Sequence, residues 1–303
     1  MKKLAIVIIN WNSYEVTEMT ILSLHNTSFK EYDIILIDNH STDGSLEKLE
    51  ASFKEITILK SNENLGFAGG NNLGIQYAID KGYKYTMLLN NDVEVEANFI
   101  EPLVEKLEGN SHIGAVQPLI YFHHDRSVIW NAGSTFNAFL GICSTPDYNK
   151  KDSQQLFRHK EKKIDWITGC AFMVKTEILA QIGALNHQFF IYYEDVDLSF
   201  RIKEAGYQLS YVPKSVIYHI AGMSHKSKEK TKEGFISAKV HYLNSRNRIW
   251  ILKKYIKIYA IPTVILYHTC YFSSVSVYFI IRGRWQKLNA WIRGIKDGLL
   301  NKL

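Results

Sequence analysis

The chain has 303 residues, of which 46% are hydrophobic and 22% charged, and its formal net charge is +6. That length and hydrophobic content suffice for one large or two modest cores and exclude a disordered or fibrous protein. Its three cysteines, Cys143, Cys170 and Cys270, lie far apart without a Cys-x-x-Cys spacing. This argues against a zinc cluster and a disulfide framework and fits a reducing, cytoplasmic setting.

The N-terminal third of the sequence alternates strand and helix patterns. Apolar runs predict strands at 4–9, 32–37, 56–59 and 85–90. Helices are predicted after Ser13, at 46–53 and after the Gly-rich loop at 62–72. The first run is six residues long, too short for a signal-peptide core. This alternation predicts an α/β fold with a Rossmann-like, doubly wound, mainly parallel sheet, which binds ligands beyond the carboxyl ends of its strands.

Polar side chains stand where three of these strands end: Asn10, Asp38 and the sequence Asn-Asn-Asp at 90–92. A carboxylate at this edge would point into the expected crevice. Asn and Asp are also turn formers, so a type I turn is the alternative for 90–92. The loop around Gly66 matches neither the dinucleotide fingerprint nor a P-loop, which favours a tight turn before a capped helix over direct phosphate contact.

A second polar cluster follows a predicted strand at 164–174 and a predicted helix at 176–183. Four aromatic rings within 189–193 lead into Glu194, Asp195 and Asp197 at the start of another helix. Capping accounts for one or two acids at such a place, because carboxylates accept hydrogen bonds from the first amides of a helix. Three acids behind four rings indicate instead a partly desolvated carboxylate site, an environment that suits proton transfer.

The C-terminal part is strongly basic. From Lys239 onward the sequence has 12 Lys and Arg against one acid, Asp297, which gives a net charge of +11. The rest of the chain therefore has a net charge of −5. The uncharged run at 258–281 is long enough to span a membrane but contains Pro262 and His268, and in the next helix Trp alternates with Lys and Arg. This composition favours an interfacial helix on an anionic membrane over nucleic-acid binding. The predicted domains are therefore 1–238 and a basic, amphipathic helical tail at 239–303.

Seven motifs occur in order over about residues 3–225. They are Val-Ile-Ile-Asn-Trp-Asn at 7–12, Ile-Asp-Asn-His-Ser-Thr-Asp-Gly-Ser at 37–45, Asn-Glu-Asn-Leu-Gly-Phe-Ala-Gly-Gly-Asn at 62–71, Leu-Leu-Asn-Asn-Asp at 88–92, Thr-Gly-Cys-Ala-Phe-Met at 168–173, Tyr-Glu-Asp-Val-Asp-Leu at 193–198, and His219 with Gly222 and Ser224. Together they resemble glycosyltransferase family 2, the inverting enzymes of GT-A type, and within it the bacterial rhamnosyltransferase-like branch.

The resemblance implies a donor site and a metal site. The residues that would contact a dTDP- or UDP-sugar are Asn10, Asn12, Asp38, Asn90, Asn91 and Asp92. Asp38 would accept a hydrogen bond from the pyrimidine. Asp92 and His219 would hold Mn²⁺ or Mg²⁺ on the diphosphate, although a lone histidine is usually a core or surface residue. Asn90 replaces the first acid of the family's widespread Asp-x-Asp, which implies less negative charge and weaker metal affinity.

The resemblance also implies an acceptor site. Asp195 would be the general base that takes a proton from the acceptor hydroxyl during a single inverting displacement. Glu194 could orient the acceptor, Trp166 could stack on a sugar face, and Arg201 could pair with an acid or the diphosphate. For each of these three, core packing or a helix-surface ion pair is the alternative.

The expected function is a metal-dependent inverting glycosyltransferase that moves rhamnose or a similar hexose to a lipid-linked or oligosaccharide acceptor in cell-surface polysaccharide assembly. Its expected place is cytoplasmic, peripheral on the inner face of the cell membrane, without a nucleic-acid partner and with the oligomeric state open. One alternative is a non-catalytic nucleotide-sugar-binding subunit of an assembly complex. A sugar nucleotidyltransferase is another, but residues 10–13 lack the glycines and basic residues of its first loop.

Overall fold

A computed structural model describes residues 2–220, 226–231, 233–301 and 303, and for 226–231 it describes the backbone alone. Gly222 and Ser224 of the last motif lie outside the described residues.

The strands are β1 Leu4–Asn10, β2 Tyr32–Asp38, β3 Thr57–Lys60, β4 Tyr85–Leu89, β5 Val93–Val95, β6 Ile113–Phe122, β7 Ile129–Asn131, β8 Thr135–Asn137, β9 Ile142–Ser144, β10 Ala171–Lys175, β11 Gln208–His219, β12 Lys226–Thr231 and β13 Gly234–Ile236. The helices are α1 Tyr14–His25, α2 Ser45–Ser52, α3 Gly66–Asp80, α4 Ile100–Glu108, α5 Thr176–Ile182, α6 Glu194–Glu204, α7 Ala238–Tyr255, α8 Ile261–Ile281 and α9 Trp285–Leu300.

Within the described residues the chain divides into two compact units. The first contains Met1–Thr135, Thr145–Phe190 and Glu194–Ala221, and the second contains Phe136–Ser144, Ile191–Tyr193 and Gly222–Leu303. The predicted boundary between 238 and 239 stays a prediction.

The first unit is built on a mixed sheet of nine strands. Its order is β3-β2-β1-β4-β10-β6-β11-β5, with β7 beside β6. The strands β3, β2, β1 and β4 run parallel, as the alternation at the N-terminus predicts. Beyond them β10 is antiparallel to both β4 and β6, so the sheet is parallel in its first half and mixed in its second.

Two apolar layers cover the faces of this sheet. Along β1, Leu4, Ile6 and Ile8 belong to one buried cluster with residues of α1, α2 and α4, while Ala5 and Val7 belong to another with residues of α3, α5 and α6. The alternation follows from the two-residue period of a strand. Helix α3 lies so close that a Cβ at Gly74 would stand 2.3 Å from Val7 Cγ1. The helices on both faces make the sheet doubly wound.

One strand prediction differs from the structure. The strand predicted at 164–174 is observed as Ala171–Lys175. Two of the amides before it bond to side chains instead of a neighbouring strand: Ile167 N donates to Ser199 Oγ at 3.0 Å and Thr168 N to Gln117 Oε1 at 2.9 Å. Further along the chain Gln208–His219 form the single strand β11, whose pairing with β6 shifts register between Val212 and Val216.

The second unit contains the predicted C-terminal helices. Helix α9 packs on α7, where Ser245 Oγ donates to the carbonyl of Trp291 at 3.0 Å and a Cβ at Gly294 would lie 2.0 Å from Ser245 Oγ. In the described part of the chain, the helical segment Ile258–Ile281 is long and apolar enough to cross a membrane by length and composition. Several of its large apolar side chains are exposed, among them Ile265 and Leu266.

Candidate active site

A hydrogen-bond network joins the carboxyl ends of β1 and β2. In the parallel register Asn10 lies beside Asp38, and both side chains are buried. Asn10 Nδ2 is 3.2 Å from Asp38 Oδ1 and 3.1 Å from both Ser41 Oγ and Ser45 Oγ. The backbone amide of Ser41 donates to Asp38 Oδ2 at 3.0 Å. The Asp38 carboxylate is therefore fixed in orientation, while each of its oxygens has a further lone pair for a ligand.

The same network extends to Asn12 and Asn91. Asn12 has a φ of +53°, and its Oδ1 accepts a 2.7 Å hydrogen bond from Thr42 N. Thr17 Oγ1 donates to Asn10 Oδ1 at 2.9 Å and accepts from Asn91 Nδ2 at 2.8 Å. Four of the expected donor residues thus lie in one network. Thr17, which the sequence did not single out, connects β1 to the end of β4.

Asp92 lies next to His219 because β5 and β11 are antiparallel and pair Val93 with His219. Both side chains are buried, and His219 Nε2 lies 3.1 Å from Asp92 Oδ1. The contact has the distance of an ion pair without hydrogen-bond geometry, and neither Asp92 Oδ1 nor His219 Nδ1 has a hydrogen-bond partner among the described residues. Burial lowers the pKa of His219, but the neighbouring Cys170 and Asp92 outweigh it and raise the pKa to about 10. A cation bound at this site would displace that proton, because an imidazole ligates a metal in its neutral form.

Asp92 and His219 supply part of the ligand set of a divalent cation. A carboxylate oxygen without a hydrogen-bond partner and an imidazole within 3.1 Å of it are the donors that Mn²⁺ accepts. No group of three or more His, Cys, Asp or Glu suited to a metal occurs in the described part of the chain. Asp92 and His219 would hold the cation, and the diphosphate of a donor would supply the oxygens that the protein does not.

Glu194 and Asp195 begin helix α6. Asp195 Oδ2 accepts a 2.8 Å hydrogen bond from Gly169 N, and Oδ1 accepts one from Val196 N at 2.8 Å. Burial raises the pKa of Asp195 to about 6, although these amides oppose the shift. Burial and the neighbouring charge of Asp195 raise the pKa of Glu194 well above its usual range. Glu194 Oε2 is buried without a hydrogen-bond partner among the described residues.

Residues 169 and 170 connect the two acidic sites. Gly169 holds Asp195 through its amide, and the carbonyl of Cys170 accepts a 2.8 Å hydrogen bond from Asn90 N. The Cys170 thiol in turn lies beside the imidazole of His219. Gly169 has little room for a side chain, since a Cβ there would lie 3.3 Å from the Phe67 ring and 3.5 Å from Asp195 Oδ2. The Asp92 and Asp195 sites thus share one connecting segment in the first unit. The sequence placed this segment in a motif but gave it no role.

Trp166 and Arg201 bond to neighbouring protein groups, and Arg201 pairs with an acid, which was one of the expectations from the sequence. Trp166 is half-buried, and its Nε1 donates to the carbonyl of Thr135 at 3.1 Å. Arg201 Nε donates to the buried carboxylate of Asp197 at 2.8 Å. Its two terminal nitrogens donate to three carbonyls at the end of α5, those of Ile182, Gly183 and Ala184. These bonds give Arg201 a structural role and leave the acceptor role of Trp166 a prediction.

The fold resembles that of solved glycosyltransferases. A mannosyltransferase from Pyrobaculum calidifontis, in complex with GDP-Man and Mn²⁺, superposes with a TM-score of 0.58 at 12% identity, over 100% of this chain and 88% of that one. GalNAc-T7 with UDP, GalNAc and Mn²⁺ also gives a TM-score of 0.58, at 19% identity, over 72% of this chain and 43% of that one. The predicted fold class, GT-A with a C-terminal helical extension, is confirmed.

Residues 5–183 match the model of Glycosyl transferase family 2, so the chain belongs to this family and is a glycosyltransferase. It is 25% identical over 232 residues to an N-acetylglucosaminyl-diphospho-decaprenol L-rhamnosyltransferase of Mycobacterium tuberculosis, covering 71% of this chain and 75% of the relative. It is 27% identical over 201 residues to a low-salt glycan biosynthesis hexosyltransferase of Haloferax volcanii, covering 66% of this chain and 61% of the relative. The chain thus spans about three fifths of the Haloferax relative. The predicted family and enzyme class are confirmed.

Replacing Arg201 tests whether its role is structural. Arg201→Ala removes the ion pair with Asp197, which is fully buried, and the bonds to α5. Breaking a buried pair from one side costs about 3 kcal/mol, so we expect a clear fall in the free energy of unfolding, measured by urea denaturation. Lys203 lies on the same helix as Arg201 and makes an exposed ion pair with Asp165. Lys203→Ala should therefore change the free energy of unfolding little. Loss of donor binding without loss of stability in Arg201→Ala would contradict the structural role.

Proposed function

We propose that the chain is a metal-dependent inverting glycosyltransferase that moves rhamnose or a similar hexose from a dTDP- or UDP-sugar to a hydroxyl of a glycan acceptor. The observation that carries this proposal is the position of Asp195. Its carboxylate is held by Gly169 N, one residue before the Cys170 that contacts His219 beside Asp92. A proton acceptor and a diphosphate site therefore share one segment, as a single displacement at the anomeric carbon requires.

The donor would bind at the carboxyl ends of β1, β2 and β4. Asp38 can accept from the imide N–H of a pyrimidine, and the hydrogen bonds from Asn10 and Ser41 fix its direction beforehand. Asn12 and Asn91 lie in the same network and offer further amide groups. Asn90 is half-buried at the end of β4. The two GT-A structures described above are complexes with UDP or GDP-Man, which supports a nucleotide-sugar as the donor.

The acceptor would bind beside the start of α6. Asp195, as a carboxylate, would take the proton of the attacking hydroxyl while the bond between the sugar and the diphosphate breaks. Glu194 has a buried oxygen without a described partner, which an acceptor hydroxyl can satisfy. Trp166 would contribute ring surface to a sugar. The relative that acts on a diphospho-decaprenol supports a lipid-linked acceptor in cell-surface polysaccharide assembly.

Asp92 and His219 would hold a divalent cation, Mn²⁺ or Mg²⁺, on the donor diphosphate. When bound, the cation offsets the negative charge that develops on the leaving group. Both similar structures contain Mn²⁺. Asn90 adds no charge to this site, which predicts a modest affinity for the free ion and a tighter one when the diphosphate is present.

The C-terminal helices would place the protein on the inner face of the cell membrane. Exposed apolar side chains line the segment Ile258–Ile281, and the residues from Lys239 onward carry +11 as counted above. Apolar burial and attraction to anionic lipids act together at such a surface. This location would bring the transferase to a lipid-linked acceptor.

Asp195→Asn tests the general base. The amide keeps the shape of the carboxylate but cannot take a proton, so we expect turnover to fall by about 10² or more with donor affinity unchanged. Sugar transfer and donor calorimetry measure the two quantities. Glu177→Gln, which alters an exposed acid on α5, is the control. Near-normal turnover of Asp195→Asn, with a large loss in Glu194→Gln, would assign the base to Glu194 instead.

The pH dependence gives a second test of the same residue. Because the pKa of Asp195 is raised to about 6, protonation removes the base as the pH falls through that value. Wild-type kcat/KM should therefore decline below about pH 6, and the residual activity of Asp195→Asn should lack this decline. A wild-type chain that binds donor but neither transfers nor slowly hydrolyses it would favour the non-catalytic subunit.

Asp92→Asn tests the cation site. We expect a UDP-sugar with Mn²⁺ to raise the melting temperature of the wild type, because ligands that bind the folded state stabilise it. In Asp92→Asn the Mn²⁺ concentration for half of this increase should rise at least about 10-fold. Glu94→Gln, two residues away and paired with Arg126, should behave as the wild type. Wild-type transfer that a chelator leaves unchanged would contradict the cation role.

Vesicle flotation tests the membrane surface. Ile265 and Leu266 are 61% and 68% exposed, and Leu156 in the first unit is 63% exposed. Because burying such a side chain is worth about 1.5 kcal/mol or more, changing both Ile265 and Leu266 to Ser should lower binding to anionic vesicles by at least about 10-fold. Leu156→Ser is the matched control. Equal flotation of the double variant, or binding to RNA in preference to anionic vesicles, would contradict the proposal.

A further inference from the structure

The segment that leads into the acidic helix α6 has an unfavourable backbone conformation. Tyr192 and Tyr193 have φ values of +72° and +71°. L-residues with bulky side chains disfavour this left-handed region by about 1–2 kcal/mol each. Two in succession persist where the surrounding structure fixes them. Glu194 and Asp195 are the next two residues of the chain, so whatever fixes this segment also fixes the direction in which they leave it.

Asn247 on helix α7 is bonded to this segment. Its side chain is fully buried, and its Nδ2 donates to the carbonyl of Ile191 at 3.0 Å and to the carbonyl of Tyr192 at 2.9 Å. Its Oδ1 accepts from Arg246 Nε at 2.9 Å. One amide nitrogen therefore bonds to two consecutive carbonyls, which fixes the orientation of both peptide groups. Helical asparagines more often bond within their own helix, as Asn244 does to the carbonyl of Val240 at 3.0 Å.

The next residue of α7 holds the side chain of the same segment. The guanidinium of Arg248 lies beside the phenol of Tyr193 and 4.4 Å from the centre of the Tyr271 ring. Burial raises the pKa of Tyr193 to about 12, so the phenol is neutral. Helix α7 thus fixes the backbone through Asn247 and a ring through Arg248. These contacts all lie within the second unit.

We propose that Asn247 is a positioning residue for the transfer reaction, which holds the strained peptides at 191–193 so that Asp195 starts α6 in the orientation that the reaction needs. This inference rests on the proposed role of Asp195 as the general base. A purely structural Asn247 would stabilise the second unit without any selective effect on the chemical step. A positioning role predicts a loss of kcat with donor affinity retained, whereas a purely structural role predicts a loss of stability.

Asn247→Asp tests the proposal in the full-length chain. The substitution keeps the size but replaces the donating nitrogen by an oxygen that repels both carbonyls. We expect kcat to fall on the order of 10²-fold, the scale of a small misplacement of a catalytic group. Donor affinity by calorimetry should stay unchanged. Asn244→Asp, which makes the same chemical change one turn away, should alter kcat by less than about twofold.

Hydrogen exchange gives a readout that does not depend on activity. In Asn247→Asp the amides of 192–196 should exchange faster, while those around Asp38 keep the wild-type rate. Asn247→Ala removes the donor without adding a repulsive oxygen and should show a smaller change in the same direction. It takes the place of Asn247→Asp if that variant fails to fold.

The outcomes separate the two proposals. Three results overturn the positioning role. They are a normal kcat in the folded Asn247 variants, a parallel loss of kcat, donor affinity and melting temperature, and unchanged hydrogen exchange at 192–196. If Asp195→Asn loses turnover while the Asn247 variants keep it, the proposed function stands and this inference fails. If Asp195→Asn itself keeps turnover, both fail.

Discussion

Three carboxylates, those of Asp38, Asp92 and Asp195, lie at the same edge of one sheet, and the first two are almost completely buried. Removing a carboxylate from water is costly unless hydrogen bonds or an opposite charge replace the solvent. The chain does this differently for each. Asp38 accepts from an amide side chain and a backbone N–H, Asp92 faces an imidazole, and Asp195 accepts from two backbone N–H groups. In the proposed function these environments would make Asp38 a fixed hydrogen-bond acceptor, Asp92 a cation ligand and Asp195 a proton acceptor.

The antiparallel strand β10 makes this grouping possible. Because β10 runs opposite to β4, its first residue, Ala171, pairs with Leu89 near the carboxyl end of β4. The residues just before β10 therefore reach the ligand-binding edge of the sheet, where Gly169 and Cys170 contact Asp195 and His219. A parallel strand at this position would bring its carboxyl end there instead. The mixed half of the sheet is thus the feature that would bring the proposed acceptor and donor sites together.

The sequence predicted the parts of the fold that depend on local pattern. The strands β1, β2, β3 and β4 match their apolar runs to within a residue or so, because each run is bounded by turn formers. The run at 164–170 failed because the amides of 167–169 bond to side chains of Ser199, Gln117 and Asp195, which lie 26 to 51 residues away. Apolar periodicity carries no information on such partners. Thr17 and Asn247 were missed for the same reason, since a polar residue in a helix gives no sign of a distant bond.

The adjacent acids Glu194 and Asp195 lie in different hydrogen-bond environments. Burial raises the pKa of both, and the charge of Asp195 makes Glu194 harder to ionise. Asp195 accepts two backbone hydrogen bonds that favour its charged form, whereas one Glu194 oxygen has no described partner. These bonds therefore favour the negative charge on Asp195 over that on Glu194. In the proposed reaction Asp195 would take the proton and the unpaired oxygen of Glu194 would bond to the acceptor, so two adjacent acids would serve different steps.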